Sequence, residues 1–240
     1  MMGAKMGKVC LKWLGRAAFI ITSPEGKTII IDPWIVDNPL CPIKVDDIKA
    51  ADIVLVTHDH SDHTGSAVDI AKNTGAIVVA MVETARRFRS ELGLPAHNVV
   101  YDGRGMNIGA STEIEGVTIT MTQAFHSSRT ALAAGYIIKL EDGTTVYHAG
   151  DTGIFESMRL LAEMYPLDVA LLPIGSVYTM DPMQAAWATK LLKPTIVIPM
   201  HYKEFPVLEQ DASRFVQLVA KEAPEVEVVV LEPGQEYWLK

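Results

Sequence analysis

The sequence predicts a mixed α/β chain in which two mixed β-sheets pack face to face and helices cover their outer sides. Three observations lead there. Short β-branched runs recur along the 240 residues, several of them apolar on both faces, as strands covered on both sides are. Segments with helical spacing alternate with these runs in two separate parts of the chain. The order is hairpins, then strand–helix alternation, then a middle run of strands, then alternation again, which is neither all-parallel nor all-β.

The elements follow in chain order. Strands are expected at Phe19–Thr22 and Thr28–Ile31, joined by Ser23-Pro24-Glu25-Gly26, whose proline and glycine suit a hairpin turn. Strand Ile53–Val56 is followed by a helix over Ala67–Lys72, strand Ala76–Ala80 by a helix over Val82–Leu92 that Gly93 stops. Val117–Thr122, Tyr136–Lys139 and Thr144–Tyr147 are consecutive strands, the last two linked by the turn Glu141-Asp142-Gly143. A helix over Phe155–Met164 precedes strand Val169–Leu172. Asp181-Pro182 supplies an N-cap and a first-turn proline for Pro182–Leu192, with Pro194 beyond its end. Strand Thr195–Ile198, a helix over Val207–Glu222 and strand Val226–Leu231 complete the pattern. No linker, repeat or block of like charge interrupts it, so one domain over residues 1–240 is expected.

A hydrophobic fraction of 49% with 21% charged residues excludes a disordered chain. Twenty-one basic against 29 acidic residues give a net charge of −8, which argues against nucleic acid and anionic membranes as partners. Cys10 and Cys41 form no Cys-x-x-Cys pair and are too few for a disulfide framework. No apolar run approaches the ~20 residues of a membrane span, and Lys5, Lys8, Lys12 and Arg16 break up any leader-like stretch. A soluble, cytoplasmic protein is expected, without membrane insertion; a homo-oligomer is left open.

The chemistry is concentrated in Val54-Leu55-Val56-Thr57-His58-Asp59-His60-Ser61-Asp62-His63. A hydrophobic strand ends and delivers three histidines and two aspartates within six residues. Residues two apart in extended chain share a side, so His58 and His60 can converge on one ion. A turn into the following helix lets Asp62 and His63 point together at a second place. Asp59 and Ser61 alternate away and are read as scaffold. Neutral imidazoles with carboxylates suit zinc foremost, and also manganese, iron or nickel. One loop cannot surround an ion pair, and further candidates stand where other strands stop: His126, Asp151 and His201.

These motifs resemble the metallo-β-lactamase superfamily of dinuclear metal hydrolases. The resemblance rests on Asp32 in Ile30-Ile31-Asp32-Pro33, the His58–His63 cluster, His126 in Phe125-His126-Ser127-Ser128, Asp151 in Ala149–Thr152 and His201 in Pro199-Met200-His201-Tyr202. The details are most similar to its metal-dependent hydrolase branch, related to ascorbate-phosphate lactonases and an N-acyl lipid phospholipase D. The resemblance implies an αββα sandwich and two divalent ions. His58, His60 and His126 would hold one ion, Asp62, His63 and His201 the other, with Asp151 bridging. Asp32 would lie beneath and accept N–H groups of ligand histidines. The implied reaction is hydrolysis of a small-molecule phosphodiester, lactone or other ester by a hydroxide bridging the two ions, with Asp62 and Asp151 in the catalytic centre.

The branch usually carries histidine where this chain has Arg16, and often an acidic residue at Ser176. His148 is read three ways: supporting a ligand, facing substrate as proton donor to the leaving group, or structural. His97 reads as a surface residue, and Ser127 and Ser128 as weak contacts for an oxyanion or phosphate. Two other functions compete with hydrolysis. A di-iron redox site is disfavoured by His60, where such relatives commonly have glutamate, and by a length without room for a flavin domain. A non-catalytic metal-binding scaffold is disfavoured by the complete ligand set.

Overall fold

The structure is a computed structural model that describes residues 7–239. In chain order, the first half holds β1 (Cys10–Trp13), β2 (Phe19–Thr22), β3 (Thr28–Ile31), β4 (Ile53–Leu55), α1 (Ser61–Thr64), α2 (Ala67–Thr74), β5 (Ile77–Val79), α3 (Val82–Ser90) and α4 (Val100–Gly103). The second half holds β6 (Ser111–Ile114), β7 (Val117–Gln123), β8 (Ala134–Lys139), β9 (Thr145–His148), α5 (Met158–Met164), β10 (Val169–Pro173), α6 (Pro182–Leu192), β11 (Ile196–Met200), α7 (Ser213–Glu222), β12 (Glu227–Val228) and β13 (Glu236–Trp238).

Two mixed sheets result, ordered β13-β1-β2-β3-β4-β5 and β12-β11-β10-β9-β8-β7-β6. The period of two decides what each face meets. Ile29, Ile31, Ile53, Leu55 and Val79 enter the core shared with the second sheet, alongside Val117, Ile119, Met121 and Val146. Ile30, Val54, Val56 and Val78 point the other way, onto Ala67, Ile70 and Ala71 of α2 and Ala85 and Phe88 of α3. On the second sheet's outer side α6 packs against α5, α7 and β10. This is the four-layer αββα order.

Parallel pairing sets where the chain leaves the sheets. β3, β4 and β5 run parallel, with Ile29 opposite Ile53 and Ile53 opposite Ile77. β9, β10 and β11 run parallel as well, with Val146 opposite Val169 and Val169 opposite Ile196. Asp32, Ala149 and His201 each follow the last residue of a parallel strand, and Thr57 lies two residues past the end of β4. A cross-sheet link lies just behind them: the buried Tyr136 hydroxyl reaches the carbonyls of Val56 at 2.8 Å and Val79 at 3.0 Å.

Several elements differ from the expectation, for local reasons. The helix expected from Val207 starts at Ser213, because the Asp211 carboxylate accepts from the Ser213 N–H at 2.7 Å and holds a turn ahead of it. The helix expected from Phe155 starts at Met158, with Phe155 instead packed on Phe125 at 5.5 Å between ring centroids. The last expected strand shrinks to Glu227–Val228, although Val229 N–H still bonds Val197 O at 3.0 Å. β1, β6 and β13 were not expected; β13 pairs Trp238 with Cys10 and extends the first sheet at its edge. Cys10 is buried, Cys41 half-buried, and both thiols are free. None of the described helices is long and apolar enough to cross a membrane.

The Tyr136 link predicts a measurable loss. Tyr136→Phe removes the hydroxyl and strips a donor from two buried carbonyls, at a cost of about 1–2 kcal/mol. Urea unfolding should show this as a lower midpoint with an unchanged slope; an unchanged midpoint would show that the link contributes nothing.

Candidate metal centre

The strand ends bring seven side chains into three overlapping groups: His58–His60–His126, His58–His63–Asp151 and Asp62–His63–His201. Potential ligand atoms within each group lie within 4.8 Å of one another. The geometry therefore gathers every ligand candidate picked out in the sequence. His58, His63, Asp151 and His201 are buried, while His60, Asp62 and His126 are half-buried and form the open side.

Asp32 organises the base of the cluster. It is fully buried in the left-handed region at φ 45°. Its Oδ1 accepts from Thr57 N–H at 2.8 Å. Its Oδ2 accepts from the Thr57 hydroxyl at 2.6 Å and from His63 Nδ1 at 2.7 Å. Having donated its proton there, the Thr57 hydroxyl is free to accept from His58 Nδ1 at 3.1 Å. One carboxylate thus orients two imidazoles, directly and through a hydroxyl, so that both Nε2 atoms turn towards the cluster.

Those Nε2 atoms show what fits there. His63 Nε2 lies 3.3 Å from Asp151 Oδ2, and His201 Nε2 lies 2.9 Å from the same oxygen. Among the described residues neither nitrogen has a hydrogen-bond partner, nor does Asp151 Oδ1. Imidazole lone pairs facing a carboxylate in a buried place need either protons or cations between them. Burial opposes the charged His63 ring, but Asp151 and Asp32 overcome this and raise its pKa well above the usual range. Burial likewise opposes the Asp151 carboxylate, but His201 and His63 hold its pKa well below the usual range. The donor set, imidazole nitrogens with carboxylate oxygens, fits divalent ions.

His126 is fastened from both sides. Phe125 N–H donates to Thr152 Oγ1 at 2.9 Å, beside Asp151. Beyond His126, Asp59 accepts from Ser128 Oγ at 2.7 Å, Arg129 N–H at 2.6 Å, Thr130 N–H at 3.1 Å and Thr130 Oγ1 at 2.6 Å. Asp59 is therefore scaffold, as its alternation implies, but scaffold for another ligand's loop. This also commits Ser128 to Asp59 and removes it as an anion contact; Ser127 stays exposed. His201 sits at φ 59°, its N–H donating to Arg16 O at 3.0 Å. A Cβ on Gly175 would stand 2.2 Å from His201 O and 2.8 Å from its Nδ1, so glycine is required there.

Of the three readings of His148 its hydrogen bonds match the structural one, and they correct the reading as a proton donor. The residue is fully buried, its Nε2–H donates to Ala17 O at 2.9 Å, and its Nδ1 accepts from Gly150 N–H at 3.1 Å. Both ring nitrogens are committed to backbone groups, and burial lowers its pKa. Arg16 lies in the site, its NH2 2.6 Å from Asp62 Oδ2. Ser176 donates to Glu209 at 3.0 Å, and His97 is exposed. Thr57 and Thr152 were missed; each adjoins a ligand motif in sequence, but nothing in the pattern tells a supporting hydroxyl from an ordinary one. A cavity of about 950 Å³ opens at the opposite ends of β9–β11, beside Thr145, Asp168 and Thr195, and contains none of the ligand side chains.

This fold and site define a class, and comparison with known proteins agrees with it. Residues 27–202 match the family described as a β-lactamase superfamily domain. A UPF0173 metal-dependent hydrolase from Nitratidesulfovibrio vulgaris is 48% identical over 225 residues, covering 94% of this chain and 93% of the relative. The solved structure of a metallo hydrolase from Ignicoccus hospitalis has a TM-score of 0.86 at 39% identity, covering 97% of this chain and 99% of that one. A diiron β-hydroxylase from Streptomyces venezuelae shares the fold alone, with a TM-score of 0.74 at 15% identity, covering 97% of this chain and 54% of that one. The chain belongs to the UPF0173 metal-dependent hydrolases of the metallo-β-lactamase superfamily.

Two substitutions test the supports. Gly175→Ala should displace His201, and Asp59→Ala should release the loop behind His126; each should weaken metal binding by about 10–100-fold, as loss of a partner that orients a ligand does. Hydrogen exchange separates them. Asp59→Ala should speed exchange at Arg129 and Thr130 N–H and leave the Gly175 region unchanged. Unaltered protection at both amides would show that Asp59 does not hold the loop.

Proposed function

We propose that this chain is a hydrolase working with two divalent ions, zinc foremost, on a small-molecule phosphodiester, lactone or other ester. His58, His60 and His126 would hold one ion, and Asp62, His63 and His201 the other. One observation carries the reading: Asp151 Oδ2 lies 2.9 Å from His201, 3.3 Å from His63 and 3.6 Å from His126, all at Nε2. A single carboxylate oxygen thus faces imidazoles of both sets, which is what a bridging ligand requires.

Two ions in such a site supply Lewis acidity towards the scissile group and bring the pKa of water down towards neutrality. The chain's own residues prepare the place. Asp32 and Thr57 keep the His58 and His63 rings oriented with Nε2 inward. Asp151 contributes the negative charge that offsets repulsion between neighbouring dications. With His148 committed to Ala17 and Gly150, no buried histidine delivers a proton to the leaving group. The open side at His60, Asp62 and His126 instead admits solvent, which protonates the departing alkoxide. The acidic surface disfavours a long nucleic acid as substrate.

The test combines metal content with a substrate panel. Metal-replete protein should contain two ions per chain by elemental analysis and should hydrolyse a member of a set of phosphodiesters, lactones and thioesters. Asp151→Asn keeps the shape but removes the charge, and should lose one ion and most turnover while staying folded. An Asp151→Asn protein with two tightly bound ions and near-normal turnover would remove Asp151 as the bridge. Iron binding with oxygen consumption and no hydrolysis would instead favour the redox reading.

A further inference from the structure

Asp62 carries a cation partner that the ligand arrangement does not explain. Arg16 follows Gly15 between β1 and β2, is 5% exposed and adopts φ 54°. Its backbone is fixed by donors from two sides: Trp13 Nε1–H and His201 N–H each reach Arg16 O at 3.0 Å. Its guanidinium carbon lies 5.5 Å from the centre of the Phe205 ring. NH2 donates to Asp62 Oδ2 at 2.6 Å, while NH1 stands 3.8 Å from Glu204 Oε2, beyond hydrogen-bond reach. The Glu204 side chain is fully buried and neither of its oxygens has a hydrogen-bond partner among the described residues. The order is carboxylate, guanidinium, carboxylate, tight on the ligand side and loose on the far side.

We infer that Arg16 is a fixed counter-charge that weakens cation binding at the Asp62–His63–His201 set, so that this set is the second to fill and the first to empty. The inference rests on the two-ion reading above. A positive charge within hydrogen-bond distance of a ligand carboxylate repels a dication bound to that carboxylate, and burial leaves the repulsion poorly screened. Its N–H also draws on the oxygen lone pairs that would serve the ion. Glu204 offsets part of this field from the other side of the guanidinium. Among the described residues the His58–His60–His126 set carries no such partner on a ligand: the nearby Arg87 approaches Asp59, at 3.7 Å, and Asp59 is not one of the ligand candidates.

The test titrates metal-depleted protein with Zn²⁺ and compares wild type with Arg16→Gln, Glu204→Gln and the double variant. Wild type should fill in two resolved steps. Arg16→Gln should tighten the second step by about tenfold or more, the scale of one nearby charge at intermediate dielectric. Glu204→Gln should weaken the same step, because the guanidinium field is then unopposed. The first step should move by less than about threefold in each, given the distance from the guanidinium. The double variant removes both charges, so that no ionised Glu204 is left without its guanidinium, and should fall between the single ones; thermal melting of the metal-depleted proteins checks that each is folded. Opposite signs are the signature, since a merely structural prop would weaken the second step in both single variants. Weakening in both, or no change in either, overturns the inference and leaves the two-ion site standing. One ion in every protein, Arg16→Gln included, overturns the two-ion reading and the inference with it.

Discussion

The centre depends on the buried carboxylate of Asp32. It follows β3, yet through Thr57 and His63 it fixes the end of β4 and the orientation of two rings. A fully buried carboxylate is costly unless its lone pairs are filled, and here three donors converge on it. The same bonds that make its burial tolerable turn the histidines inward. Remove that carboxylate, and Thr57 and His63 lose partners together, which couples the register of two neighbouring strands to the geometry of the ligands.

From that base the site is assembled by connections between the sheets. Ala134 N–H bonds Thr57 O at 3.0 Å, and Tyr136 reaches Val56 and Val79 from the second sheet. Asp59 and Thr152 hold the His126 loop from opposite flanks. Arg16 meets Asp62 with its side chain and His201 with its carbonyl. Candidate ligands from different strands are thus locked to one another by groups outside the candidate ligand set, which is how rigid elements hold a site in place.

What could be read in advance follows from range. Alternation, turn chemistry and the compact His58–His63 run are local, so the central strands and the cluster were legible without coordinates. His126, Asp151 and His201 were legible because each is a polar group where an apolar strand stops. The edge strands β6 and β13 were not, because edge strands carry mixed, exposed side chains with little periodicity. The start of α7 was missed because the Asp211 side chain outcompetes helical spacing over six residues. The roles of Asp59, Arg16 and Glu204 were hidden for another reason. Each is defined by a partner far off in sequence: Ser128 for Asp59, Asp62 for Arg16 and Arg16 for Glu204. His148 shows the converse: its proximity to Asp151 in sequence suggested chemistry, and its two hydrogen bonds assign it to architecture.

The seven gathered side chains span His58 to His201, so the centre is closed by a loop of about 140 residues. In an unfolded chain of that length, bringing the ends together carries a closure entropy that grows only slowly with length but must be met before any contact forms. A cation held there acts as a clasp between the two halves of the polypeptide. It would grip only after both sheets have docked, and it would then oppose their separation by an amount that grows with the logarithm of its affinity. A sandwich that folds without the ion would then gain a margin of stability that rises with the free metal concentration, which ties part of its resistance to unfolding to the ion supply of its surroundings.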